Sequence, residues 1–429
     1  MNKVGQFASY HIYPYYPDFI NYDLNYENYV DANGEQNNYA GYLNELKAEH
    51  KLPILVAEFG IPSSRGMTHR GANNKNQGGH DEAEAGEIVS SMFDDIIHEG
   101  YMGGLIFTWQ DEWFKRTWNT MEYDDPNRRP FWSNQQTSEQ HFGLLGFETM
   151  KIKVDGDSSD WTKPPLYKSA DSSHNALYVD HDETYLYIRI DYDPKKKVIP
   201  YVFLDTLPDQ GNHKINQMLK EIRFENGLDF MIQIKPDDSQ ILVDRYYNYL
   251  LYLYGIELDF IDIGDKLPTK NSGDFDQISY ALNRKYYIMD RDILLPFETY
   301  ETGKLREGNG NPDSSNYNSL TDYAVNKEEG CIELRLPWLL IHSADPSHKT
   351  FLGDFIKNGF NLVHLDGISI GAIYTDDEGK VIEAFPSIND NTQGLYKLYN
   401  WDKWEHPKST PRLKKSYYKI QERFSQEDD

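Results

Sequence analysis

Apolar and polar residues follow two rhythms along this chain, and the rhythm changes near residue 150. Phe7 to Tyr13 reads as a short strand running into a Pro-Tyr-Tyr-Pro loop. Tyr39, Tyr42, Leu43 and Leu46 then fall at i, i+3, i+4 and i+7, one face of a helix. Pro53 to Ala57 is continuously apolar and closes on Glu58-Phe59-Gly60, which suits a parallel strand buried on both faces. The Gly-, Asn- and His-rich stretch 61–80 reads as a flexible loop lining a cleft. Ala85, Ile88, Val89, Met92, Phe93 and Ile96 mark a second helix, with Gly100 as its terminator. Gly103 to Trp109 is a third buried strand.

Strand, helix, strand, helix, strand is the pattern of a parallel α/β unit. A doubly wound nucleotide fold wants a glycine-rich turn after its first strand, and neither G-x-G-x-x-G nor a P-loop occurs in the sequence. A (β/α)₈ barrel places polar and aromatic groups at the carboxyl ends of its strands. His11, Tyr13, Glu58 and Trp109 fit that placement, so residues 1–148 are expected to be part of a barrel.

Beyond residue 149 the period becomes two. Thr184 to Tyr192 alternates strictly, with Leu186, Ile188 and Ile190 on one face and Tyr185, Tyr187 and Arg189 on the other. Residues 229–235, 330–336 and 367–374 repeat that alternation. An α/β segment is thus followed by an all-β one, expected as an antiparallel β-sandwich over residues 149–400. Residues 401–429 read as a charged tail with one short helix.

Composition narrows the partners. Lys+Arg number 43 and Asp+Glu 69, a formal net charge of −26. Phosphate backbones and anionic lipid repel such a chain, so neither nucleic acid nor membrane is an expected partner. Cys331 is the single cysteine, which excludes an intramolecular disulfide and a cysteine-based metal cage. His69, Arg70 and His80 match no metal motif, G-x-S-x-G and H-E-x-x-H are absent, and neither metal nor cofactor is expected. Asp155, Asp157 and Asp160 lack the later Glu of a calcium loop and read as a turn opening the β segment.

Glu58 ends an apolar strand, where a carboxylate must meet a cleft or a partner. A catalytic carboxylate and a salt-bridged strand terminus fit that position equally. His11 and Tyr13 lie two apart and project to one side of their strand. A Tyr hydroxyl beside a nucleophilic carboxylate keeps it ionised and oriented, although both are also ordinary strand aromatics. Trp109, Trp113, Trp118 and Trp132 are half of the eight Trp residues. Indole faces stack on sugar rings, and Trp109, at a strand end, is the best placed to do so. Asp111 and Glu112 suit either sugar hydroxyls or loop ion pairs.

Ser9-Tyr-His-Ile-Tyr13, Ile54-Leu-Val-Ala-Glu-Phe-Gly60 and Gly104-Leu-Ile-Phe-Thr-Trp109 together resemble the last three strands of retaining glycoside hydrolases of the 4/7 superfamily (clan A). The resemblance covers about residues 5–148. It implies that Glu58 is the catalytic nucleophile, that His11 and Tyr13 line the sugar site, and that Trp109 is the sugar platform. Val154-Asp-Gly-Asp157, Asp160-Trp161, Leu186-Tyr-Ile-Arg-Ile190, Val202-Phe-Leu-Asp-Thr206 and Glu333-Leu-Arg-Leu-Pro-Trp338 are similar to carbohydrate-binding sandwiches of the family 9 and DOMON-like type. That match implies a sugar-binding or packing domain.

The family's general acid/base is a Glu after an Asn at the end of its fourth strand. The only Asn-Glu pair in this sequence is Asn44-Glu45, inside the first expected helix. Strands one to five have no counterpart. The sequence is therefore read as the carboxyl-terminal part of a glycoside hydrolase acting on a poly- or oligosaccharide, inactive alone, with a missing N-terminal barrel segment as an expected partner. The alternatives are a non-catalytic carbohydrate-binding protein and an accessory of an exopolysaccharide system.

Overall fold

The structure, a computed structural model, describes residues 5–257 and 267–426. Helix and sheet are mixed, and most of the sheets are antiparallel. Among the described residues no helix is long and apolar enough to cross a membrane. The chain forms two compact units: residues 1–118, 135–148 and 409–429 make unit 1, and residues 119–134 and 149–408 make unit 2.

Unit 1 is built on three parallel strands, β1 (Ala8–His11), β2 (Ile54–Phe59) and β3 (Gly104–Ile106), in that order. Helices α1 (Asn38–Ala48) and α2 (Glu82–His98) connect them. Asn37 caps α1 by accepting the Ala40 N–H, and Asp81 caps α2 by accepting those of Ala83 and Glu84. Ala85, Val89, Met92 and Ile96 of α2 pack with Tyr39 and Leu43 of α1 onto Ile54, Val56 and Phe59 of β2. Parallel sheets are usually covered on both faces. Here both helices contact one face, so β2 buries Ile54, Val56 and Phe59 while Leu55 and Ala57 on the other face stay half-exposed. The outer edges of β1 and β3 pair with no other strand among the described residues.

The end of the chain completes unit 1. Strand Thr410–Leu413 pairs antiparallel with β4 (Leu145–Glu148), and the helix Lys415–Ser425 packs along α2, adding Ile420 to the core. Gly86 makes that approach possible, because a Cβ there would lie 2.7 Å from the Ser416 Cα. Arg412 bridges Glu82 and Glu148, the latter at 2.6 Å. The stretch 61–80 is not an open loop: residues 61–68 and 75–78 are buried.

Unit 2 holds two large antiparallel sheets. One runs β12 (Tyr323–Asn326), β13 (Cys331–Pro337), β7 (Tyr185–Asp191), β6 (Ala176–His181) and β5 (Tyr167–Lys168). The other runs β11 (Phe275–Gln277), β10 (Gln240–Asp244), β9 (Phe230–Gln233), β8 (Ile199–Asp205), β14 (Ile368–Thr375) and β15 (Val381–Phe385), with β16 (Lys397–Tyr399) also on β14. These strands are buried on both faces: Leu186, Ile188 and Ile190 are fully buried, as is Tyr187 on the opposite side.

The aspartates at 155–160 form a turn. Glu333 accepts the N–H groups of Asp155 (3.1 Å) and Gly156 (2.7 Å) and the Trp161 indole N–H (2.7 Å). Asp157 caps the short helix Ser158–Asp160. A second carboxylate feature crosses the larger sheet. Asp229 donates its N–H to the Leu204 carbonyl, and Asp244 donates its N–H to the Asp229 carbonyl. The ladder thus places Asp205, Asp229 and Asp244 side by side on one face. Asn226, Gln210 and Asn212 respectively donate an amide hydrogen to each.

Candidate functional site

A local irregularity in β2 assembles the site. Strict alternation would put Glu58 on the same face as Ile54 and Val56, in the core. Tyr10 pairs with Val56 but His11 pairs with Glu58, so β2 carries one extra residue, a β-bulge. The same surplus separates the Val56–Gly104 and Phe59–Ile106 pairs with β3. The bulge lets Phe59 return to the core while Glu58 leaves it.

Glu58 then meets His11, which ends the neighbouring strand, and Tyr13, two residues beyond it. The Tyr13 hydroxyl donates to Glu58 Oε2 at 3.1 Å, and His11 Nδ1 lies 3.1 Å from the same oxygen. Burial, followed by the charge and hydrogen bond of Glu58, raises the Tyr13 hydroxyl far above its ordinary value, so Tyr13 acts as a donor. The Glu58 side chain is 32% exposed and that of His11 61%, so the pair opens to solvent. The Tyr13 hydrogen bond and the nearby His11 ring fix the direction of the Glu58 carboxylate. No hydrogen bond from the described residues reaches Oε1.

Behind Tyr13 lies a second polar group. Lys115 Nζ sits 3.4 Å from Glu112 Oε2, 3.5 Å from Glu139 Oε2 and 4.2 Å above the Phe107 ring. Gln77 donates to the other Glu139 oxygen at 2.5 Å. Burial raises the Glu139 carboxyl against the opposing pull of Lys115. Both of its oxygens are engaged, so Glu139 is a wall of the site. Gln77, Lys115 and Glu139 come from segments without periodicity, and only the nearness of Glu112 to Lys115 in sequence hinted at the cluster.

The structure brings His11, Tyr13 and Glu58 together; Trp109 stands apart from them. It follows β3 by three residues, is 55% exposed, and meets the edge of Tyr417 at 6.3 Å between ring centres. Trp113 packs edge-on against Phe147, and Trp132 is fully buried. Asp111 forms a buried ion pair with Lys414 Nζ at 2.7 Å, and Glu112 pairs with Lys115, so both are ion-paired loop residues. Burial alone would raise the Asp111 carboxyl, but Lys414 and His141 bring it below the usual carboxylate value. Among the described residues no group of three or more His, Cys, Asp or Glu is arranged to hold a metal ion.

Comparison with protein-family models, curated proteins and solved structures finds no match to this chain.

Proposed function

We propose that unit 1 is the carboxyl-terminal part of a retaining glycoside hydrolase barrel, with Glu58 as its nucleophile. The observation that carries this reading is the convergence of Tyr13 and His11 on Glu58 Oε2. In double displacement one carboxylate attacks the anomeric carbon and a second carboxyl protonates the leaving oxygen. Tyr13 and His11 hold Oε2, which leaves Oε1 as the attacking atom. The half-exposed face of β1, β2 and β3, with its two open edges, corresponds in this reading to the interior of a barrel completed by further strands. Trp109 supplies an exposed indole face for a sugar ring.

The proton donor lies outside this site, so the test uses a leaving group that departs without protonation. The 2,4-dinitrophenyl β-glycosides of glucose, galactose and mannose meet that need. The expected result is slow release of dinitrophenol from one of them, lost in Glu58→Gln and partly restored by azide in Glu58→Ala. Equal release by wild type and both variants removes Glu58 from the mechanism.

A second reading, non-catalytic carbohydrate binding, is favoured by the exposure of Trp109. In the family 9 or DOMON-like reading unit 2 is a packing domain: the Trp161 indole N–H is donated to Glu333 and Trp338 is fully buried.

A further inference from the structure

One end of the two large sheets of unit 2 encloses a cavity of about 600 Å³. The segment from Tyr192 to Ile199, the end of β9 and the hairpin between β12 and β13 surround it. Its walls are apolar: Ile199 and Ile234 come from one sheet, and Tyr323, Val325 and Ile332 from the other. Ligand pockets for small organic molecules span about 300–1,000 Å³ and have this predominantly apolar lining.

The mouth is of the opposite character. Lys196, Lys197, Lys235 and Lys327 stand there, all exposed. Lys197 is paired with Asp377 at 3.3 Å. Lys196, Lys235 and Lys327 make no ion pair with the described residues. Glu307, also on the lining, accepts a long hydrogen bond of 3.4 Å from the Tyr323 hydroxyl. In a chain carrying 69 acidic against 43 basic residues, three unpaired ammonium groups around an apolar cavity reverse the prevailing charge. Lysine stems can lie along apolar walls while their ammonium groups stay at the rim. Exposed acids follow in the same two turns, Asp237 and Asp238 after Lys235, and Glu328 and Glu329 after Lys327. They confine the positive zone to the mouth, which suits a single anionic group and repels a polyanion.

We propose that this cavity binds a small amphiphilic organic anion, its apolar body between the sheets and its carboxylate or sulfonate held by Lys196, Lys235 and Lys327. The site is independent of Glu58 and of the glycosidase reading.

The test titrates the full chain with 8-anilinonaphthalene-1-sulfonate and with N-phenyl-1-naphthylamine, its uncharged counterpart, using decanoate as competitor. One sulfonate site per chain, emptied by decanoate, is expected. Lys235→Gln combined with Lys327→Gln should weaken the sulfonate about tenfold or more, with N-phenyl-1-naphthylamine unaffected. Val325→Trp, which fills the cavity, should remove both dyes while circular dichroism and the melting curve confirm the fold. The exposed lysine variants decide the matter if Val325→Trp does not fold. No binding of the sulfonate, unchanged sulfonate binding in the lysine double variant, or equal affinity for the two dyes overturns the proposal. So does sulfonate binding that survives in folded Val325→Trp.

Discussion

In unit 1 the buried carboxylate of Asp111 faces the Lys414 ammonium, whereas in unit 2 Asp205, Asp229 and Asp244 stand on neighbouring strands and are held by neutral donors. The pairing brings Asp111 below its ordinary value. Burial and the Asp229 charge push Asp244 up to about 7, and burial raises Asp205 and Asp229 as well. The Oδ2 atom of Asp244 is buried without a hydrogen-bond partner, which is costly for a carboxylate and less so for a neutral acid. Arg245, the next residue, is paired with Asp274 and Asp276, and the Asp276 charge adds to the rise at Asp244. Burial therefore ends differently for Asp111 and for the row Asp205, Asp229 and Asp244, and the Lys414 ammonium beside Asp111 makes the difference.

The contrast breaks most visibly at the ion pair. Lys414→Ala leaves Asp111 buried without its ammonium partner, with His141 and the Gly143 N–H still beside it, and unit 1 should lose about 3–5 kcal/mol. Lys197→Ala, at the exposed Lys197–Asp377 pair of unit 2, should cost about 0–1 kcal/mol. Calorimetry of the two variants against wild type measures the difference; similar small losses would show that Asp111 does not depend on Lys414.

The pH dependence sharpens it. The folded-state value of Asp244 lies above its unfolded value, so its contribution is complete below about pH 4 and is lost as pH rises through about 7. Asp111 has the opposite sign: its contribution is present above the ordinary carboxylate value and is lost only as pH falls through its lowered one. The Asp244 contribution to unit 2 should therefore fall by about 1–4 kcal/mol between pH 5 and pH 8.5, while the Asp111 contribution to unit 1 stays constant over that range. Asp244→Asn should flatten the slope. A slope that Asp244→Asn leaves intact places the responsible protons elsewhere.

Regular elements with local periodicity were legible in the sequence. The stripe at Tyr39, Leu43 and Leu46 and that from Ala85 to Ile96 became α1 and α2, and the alternation at 184–192 became β7. His11, Tyr13 and Glu58 were each readable from position, and the structure brings them to one carboxylate oxygen. The bulge that turns Glu58 out of the core was not readable, because it is a register shift between strands more than 40 residues apart in sequence. The pairing of Thr410–Leu413 with β4 spans more than 250 residues and leaves no local pattern, so the stretch after Trp401 reads in the sequence as a charged tail with one short helix. The burial of residues 61–68 and 75–78 was hidden by their polar composition, since those side chains are hydrogen-bonded within unit 1: Ser64 to Gly66, Thr68 to Ser138 and Gln77 to Glu139.

Glu58 is proposed as a nucleophile oriented by Tyr13 and His11. Its most direct test incubates the full chain with 2,4-dinitrophenyl 2-deoxy-2-fluoro-β-glycosides of glucose, galactose and mannose, which trap a glycosyl-enzyme without needing a proton donor. Peptide mass spectrometry then locates the adduct. The expected result is an ester on Glu58, formed more slowly in Tyr13→Phe and lost in Glu58→Gln; an adduct on a different carboxylate, or a Glu58 left unmodified by all three sugars, contradicts that role.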